Sequence, residues 1–113
     1  MLTKAYRINK NWEFQNIYRK GRNLSSQFFS VNFLQNRFNF NRFGIVVSKK
    51  VAKKAVDRNL LKRQAREIIN ELNKKSFTHL DVIVSIKPRA LGADFAKLKN
   101  ELVELFLRAR IIK

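Results

Sequence analysis

The spacing of apolar side chains changes along this chain, and those changes restrict the fold more than any single residue does. Residues 27 to 34 (QFFSVNFL) and 38 to 47 (FNFNRFGIVV) alternate bulky with small or polar groups, the two-residue period of strands. From residue 55 to residue 74 the period becomes 3.6, with Leu61, Ala65, Ile68, Ile69 and Leu72 on one stripe. Residues 80 to 86, LDVIVSI, form a short apolar run closed by Lys87 and Pro88, which predicts a buried strand. The helical period returns after Asp94, a capping residue type, with Phe95, Leu98, Leu102, Leu105, Phe106 and Ala109 on one face. Near the start, Phe14, Ile17 and Tyr18 predict a short helix opened by Asn11, with Glu13 in its first turn and Gly21 at its stop. The order is helix, two or three strands, helix, strand, helix, which makes an α+β sandwich. Gln35, Asn36 and Arg37 can turn the two long strands into a hairpin.

The length of 113 residues matches one such domain, residues 1 to 113, with 45% hydrophobic residues to fill it. A chain of this size buries roughly two-thirds of its unfolded surface and needs neither metal nor disulfide to hold a core. The absence of cysteine excludes disulfide scaffolds, Cys-based zinc sites and thiol catalysis, and fits a reducing cytoplasm. The opening MLTKAYRINK places basic residues where an export signal needs an apolar core, and no apolar run of about 18 residues follows. The expectation is a soluble cytoplasmic protein with no membrane partner.

A formal charge of +17 on so small a body is self-repelling until a polyanion neutralises it. The excess is uneven: residues 1 to 66 carry 16 basic and 2 acidic side chains, residues 67 to 113 carry 9 and 6. Residues 48 to 66, SKKVAKKAVDRNLLKRQAR, hold eight basic residues against Asp57. Counting about 100° per residue from Arg58, Lys62 falls near 40°, Arg66 near 80°, Asn59 near 100° and Arg63 near 140°, while the apolar stripe runs from about 280° to about 20°. One helix thus separates core from cation. Lys49, Lys50, Lys53 and Lys54 extend the cationic surface into the preceding connection. An ordinary solvated face would intersperse acids at i, i+4, but here Glu67 and Glu71 come only after Arg66. Guanidinium forks and lysine charges at successive turns fit a phosphate backbone, which predicts a log–log salt slope near −4 to −5 if about six phosphates are neutralised.

This block resembles the signature of the protein subunit of bacterial ribonuclease P, an Arg-Asn-Arg sequence followed by Lys-Arg and another Arg. The match is Arg58, Asn59, Lys62, Arg63 and Arg66, preceded by VSKKVAKKAV at residues 47 to 56. Leu60 stands where the family has its second Arg, so no role is carried onto it. YRINKNWEFQNIYRKG near the start, and LDVIVSIKPRA with its following helix, are also similar to the family. The resemblance implies an αβββαβα, ribosomal-protein-like sandwich with a mostly antiparallel central sheet and a left-handed βαβ crossover. It further implies that the basic helix binds ribonuclease P RNA. A cleft between the first helix and the sheet then takes the 5′ leader of precursor tRNA, with leader contacts at Phe14, Tyr18, Phe29 and Asn32 and with Lys87 and Arg89 at the rim.

Packing alone gives Phe14, Ile17 and Tyr18 a plainer role, anchoring the first helix to the sheet. Trp12 lies on the other side of that helix and is left unassigned. Phe28, Phe33, Phe38, Phe40 and Phe43 read as core or cross-strand residues, and Phe95 and Phe106 as core of the last helix. Phosphodiester hydrolysis needs activated water and usually Mg²⁺ held by carboxylates. Glu67 with Glu71, and Glu101 with Glu104, read as solvent-facing pairs, and His79 has no sequence partner for base catalysis. No catalytic or metal-binding residue is expected. The resemblance implies that the RNA subunit cleaves with Mg²⁺, and no obligate protein partner is expected. A small basic ribosomal protein is the main alternative, a major-groove DNA regulator a second, and a basic amphipathic membrane binder the weakest, because the helix's apolar stripe is needed for the core.

Overall fold

The computed structural model describes residues 6–113. The elements are α1 (Asn11–Lys20), β1 (Arg22–Ser25), β2 (Phe29–Gln35), β3 (Arg42–Val46), α2 (Ala55–Asn73), β4 (Leu80–Ile86), a 3-10 turn at Pro88–Ala90, and α3 (Phe95–Arg108). This is the expected mixed α+β order. The strands form a sheet ordered β1-β2-β4-β3, antiparallel at β1–β2 and β2–β4 and parallel at β3–β4.

The expected hairpin between β2 and β3 does not form, because β4 lies between them. Strand β4 is apolar toward both faces, with Val82, Val84 and Ile86 in one cluster and Ile83 in another. Such a strand is stabilised at the centre, where both faces are covered and both edges paired. The 35–41 connection is instead shaped by Asn36, whose Oδ1 accepts the Phe38 N–H at 2.9 Å and whose Nδ2 donates to Phe40 O at 3.2 Å.

Alternation along β2 sends Phe29, Val31 and Phe33 to one face, where the α2 stripe and α3 cover them. All five stripe residues of α2 are buried, as are Leu98, Leu102, Leu105 and Phe106 of α3. Phe43 and Phe106 stack across this core with ring centroids 6.3 Å apart. Phe95 departs from expectation: it is 36% exposed, because it opens α3 one turn before Leu98, where the helix first enters the core. Asp94 occupies the cap position of α3 without a side-chain cap bond, and Lys10 rather than Asn11 occupies that of α1.

Helix α1 crosses the other face, burying Ile17 against Ile8 and Ile83, with Phe14, Leu34 and Val46 around them. The chain leaves α1 through Gly21, whose N–H donates to Ile17 O at 2.8 Å. A Cβ there would lie 2.5 Å from Ile17 O and 2.6 Å from Phe33 O, so glycine is required by close backbone approach. Gly21→Ala is therefore expected to cost about 1–3 kcal/mol of stability, read as a lower urea midpoint at unchanged slope. A midpoint equal to wild type would contradict this packing.

Candidate nucleic-acid interface

The amphipathic geometry of α2 turns its charged side outward. Asn59 and Arg63 are exposed, and Lys62 and Arg66 half-buried. With Glu67 and Asn70 these four line one open groove along the helix. The lysines of the preceding connection, Lys49, Lys50, Lys53 and Lys54, are all exposed, while Val51 and Ala52 between them are buried and pin that segment to the body. Among the described residues the ion pairs are Arg42 with Glu13, Arg42 with Asp81, and Lys99 with Glu71, so the α2 cations remain without an acidic partner. Leu60 is 42% exposed on the flank of the cationic arc.

Arg58, expected among the RNA-subunit contacts, also has a structural role. Its Nη1 donates to Ala52 O at 2.9 Å and to Lys53 O at 2.8 Å. The guanidinium thus fastens the lysine-bearing connection to the first turn of α2, and its removal would disturb both charge and backbone.

Phe14 joins this surface from the other side of the sheet edge. Its ring lies on Gly44, where a Cβ would come within 2.7 Å of two ring atoms. Phe14, Gly44, Lys62 and Arg66 line one recess, so the α1 aromatic and the α2 cations are contiguous around strand β3. Helical spacing could not reveal this, because it depends on β3 being the edge strand. Tyr18, one turn after Phe14, is 47% exposed. Asn32 lies on the same sheet face as α1, in a polar cluster where Asn23 Nδ2 donates to Asn32 Oδ1 at 3.1 Å and to Ser30 Oγ at 2.9 Å.

Phe29 does not belong to this cleft. It is 1% exposed and belongs to the α2–α3 core, since alternation along β2 points it opposite to Ser30 and Asn32. Lys87 is partly committed: its Nζ donates to Ser26 O at 2.7 Å, closing the β1–β2 turn. Arg89 is exposed on the 3-10 turn. Neither lines the recess at Phe14. Trp12 is 65% exposed on the far side of α1, over a separate groove with Phe38. Phe38 is itself 44% exposed, stacked on Phe40, and not core.

The acids mostly hold the scaffold. Arg42 donates from Nε to Asp81 Oδ1 at 2.9 Å, and from Nη2 to Asp81 Oδ2 and to Glu13 Oε2, each at 2.7 Å. The hydrogen bond to Asp81, and then that to Glu13, raise the Arg42 pKa against the opposing effect of burial, so the guanidinium stays charged throughout the folded range. This network ties α1 to β3 and β4 and fixes where Phe14 sits. Sequence reasoning missed it, though a lone acid opening an apolar strand, as Asp81 does, is a usable signal. Glu101 is also not a solvent-facing charge. Its Oε1 accepts from Ser26 Oγ at 2.6 Å and from the Phe28 N–H at 3.0 Å. Among the described residues no three His, Cys, Asp or Glu gather as a metal site. Glu13, Asp81 and Glu101 are thus committed to hydrogen bonds that hold the scaffold.

Three comparisons with known proteins agree with this geometry. The family model described as Ribonuclease P matches residues 2–110. The ribonuclease P protein component of Synechocystis sp. is 37% identical over 98% of this chain and 90% of its own length. That of Listeria monocytogenes is 34% identical, over 99% and 94% respectively. The solved structure of Staphylococcus aureus RNase P protein is 34% identical, with a TM-score of 0.89 over 97% of this chain and 100% of that one. RNase P protein from Thermotoga maritima gives a TM-score of 0.83 at 30% identity, covering 90% of this chain and 96% of that one. Matched by the family model over residues 2–110 and by relatives more than 30% identical over nearly its full length, the chain belongs to the ribonuclease P protein family.

Proposed function

We propose that this chain is the protein subunit of a cytoplasmic ribonuclease P ribonucleoprotein that removes the 5′ leader of precursor tRNA by hydrolysis. Asn59, Lys62, Arg63 and Arg66, with the four lysines held in place by Arg58, bind the RNA subunit. Phe14, Tyr18 and Asn32 receive the leader, with Lys87 and Arg89 farther along the same path. The observation that carries this reading is the recess at Phe14, where an aromatic face meets Lys62 and Arg66. A stacking surface beside unneutralised cations suits an extended single strand.

The chain's own contribution is electrostatic and positional. Its cations offset repulsion between catalytic RNA and substrate, and Phe14 holds a leader base at a fixed distance from the α2 contacts. Hydrolysis and its Mg²⁺ are assigned to the RNA, a reading supported by the commitment of Glu13 and Asp81 to Arg42, of Glu101 to Ser26 and Phe28, and of Glu71 to Lys99.

Phe14→Ala is expected to raise the dissociation constant of the reconstituted ribonucleoprotein for leader-bearing precursor by about 5- to 150-fold, matching a stacking loss of about 1–3 kcal/mol. Affinity for mature tRNA should not change. Phe14→Leu keeps apolar contact with Gly44 but lacks the flat face, and should show the same leader-specific loss with a near-normal melting temperature. Equal losses with and without leader would contradict the assignment.

A further inference from the structure

The C-terminal end of α3 carries a second arginine cluster, one member of which stands at a left-handed backbone position that does not call for an arginine side chain. The helix closes in a Schellman arrangement: the Arg110 N–H donates to Leu107 O at 3.1 Å and the Ile111 N–H to Phe106 O at 2.9 Å. The residue at the turn must be left-handed, and Arg110 has φ of 60°, the one described non-glycine residue with positive φ. Glycine accepts that conformation freely, whereas an arginine is strained there. Arg110 lines a groove of about 640 Å³ with Arg22 of β1 and Arg108 of the last helical turn. No acidic residue lines that groove, and none of the three arginines forms an ion pair among the described residues.

Arg108 alone has a local explanation, since a cation in the last turn complements the helix dipole. That explanation does not extend to Arg22, on a strand, or to Arg110, beyond the helix end. Three guanidinium groups around one groove repel each other unless an anion joins them. The groove is lined from β1, β2 and the C-terminal end of α3, whereas the cationic groove of α2 and the recess beside it are lined by residues of α2, β3, α1 and the segment before α1, and share no residue with it. We propose that Arg22, Arg108 and Arg110 form a further phosphate-binding site for RNA, separate from α2 and from the Phe14 cleft, and that Arg110 is kept at a glycine-type position for its guanidinium. The ligand chemistry is the RNA phosphodiester. The inference rests on the RNA-binding reading given above, and ribonuclease P RNA and precursor tRNA are the two sources of that phosphate.

The test uses Arg110→Gly in the full chain, because the two explanations of Arg110 predict opposite results. Melting temperature and the salt dependence of affinity are measured with two probes, transcribed bacterial ribonuclease P RNA alone and precursor tRNA bound by the reconstituted ribonucleoprotein. Lys97→Gln, at an exposed position on α3, controls for loss of one positive charge. The expected result is an equal or higher melting temperature, with about a 3- to 10-fold loss of affinity for one probe and a salt slope shallower by about 0.7–0.9. Arg22→Gln should weaken the same probe, and the probe affected identifies the source. An affinity equal to that of Lys97→Gln for both probes overturns the proposal, as does a fall in melting temperature, which would make Arg110 a stabilising residue. If instead wild type fails to bind either RNA, it is the proposed function that fails.

Discussion

Replacing Arg63 and Arg66 together by alanine is expected to lower affinity for ribonuclease P RNA by about 30- to 1000-fold. Each guanidinium–phosphate contact is a charge-assisted hydrogen bond, and two at roughly 1–2 kcal/mol give about 2–4 kcal/mol. The salt slope, near −4 to −5 for six contacts, should become shallower by about 1.4–1.8. Neither side chain has an ion-pair partner among the described residues, and alanine suits the middle of α2, so the fold should persist. Arg58 is the wrong residue for this experiment, because its bonds to Ala52 O and Lys53 O make any loss of affinity ambiguous. Filter binding of labelled RNA across a salt series, with circular dichroism of the same samples, checks both halves of the expectation. An unchanged slope would remove α2 from the interface.

Asp81→Ala is expected to cost about 3–5 kcal/mol, the largest stability loss anticipated for a residue outside the apolar core. Asp81 accepts two hydrogen bonds from Arg42 and one at 2.9 Å from Asn36 Nδ2, all at a nearly buried position. Truncation leaves the Arg42 guanidinium in a cavity with only Glu13 to pair it. Since small domains are stable by about 5–15 kcal/mol, a large share of folding free energy would go. Replacing all three charged members, Asp81→Leu with Arg42→Met and Glu13→Gln, leaves no stranded charge and should recover much of the loss. Urea unfolding of wild type, single and triple variants measures this directly. A single variant within about 1 kcal/mol of wild type would show that the network is not what holds α1 on the sheet.

Local periodicity carried most of the secondary structure. The α2 stripe from Leu61 to Leu72 is buried residue for residue, because a helix places side chains by sequence spacing alone. Strand pairing was less accessible. Nothing in residues 27 to 47 says that β4, more than thirty residues later, will enter between β2 and β3; that outcome follows from β4 being apolar on both faces. The same non-local choice decided the site. It made β3 an edge, brought Phe14 beside Lys62 and Arg66, and set Arg42 opposite Asp81 in the β3–β4 register.

Phe29 shows the converse limit. An aromatic carried over by resemblance sits on the wrong face, and only the alternation of β2 around buried Val31 reveals it. Family membership itself was legible in Arg58, Asn59, Lys62, Arg63 and Arg66, because their order resembles the family signature, while the division of cation from core along the helix by itself pointed only to a polyanion partner. The left-handed Arg110 had no sequence signal, since arginine is an unfavourable choice at that position and is identified only by its backbone.

The most direct measurement is leader removal from precursor tRNA at low Mg²⁺, comparing this chain alone, bacterial ribonuclease P RNA alone, and the two together. The expected result is no cleavage by the chain, slow cleavage by the RNA, and a marked acceleration by the mixture that Arg63→Ala with Arg66→Ala reduces. Cleavage by the purified chain without RNA, or a mixture no faster than the RNA by itself, would contradict a division of labour in which the protein binds and the RNA hydrolyses.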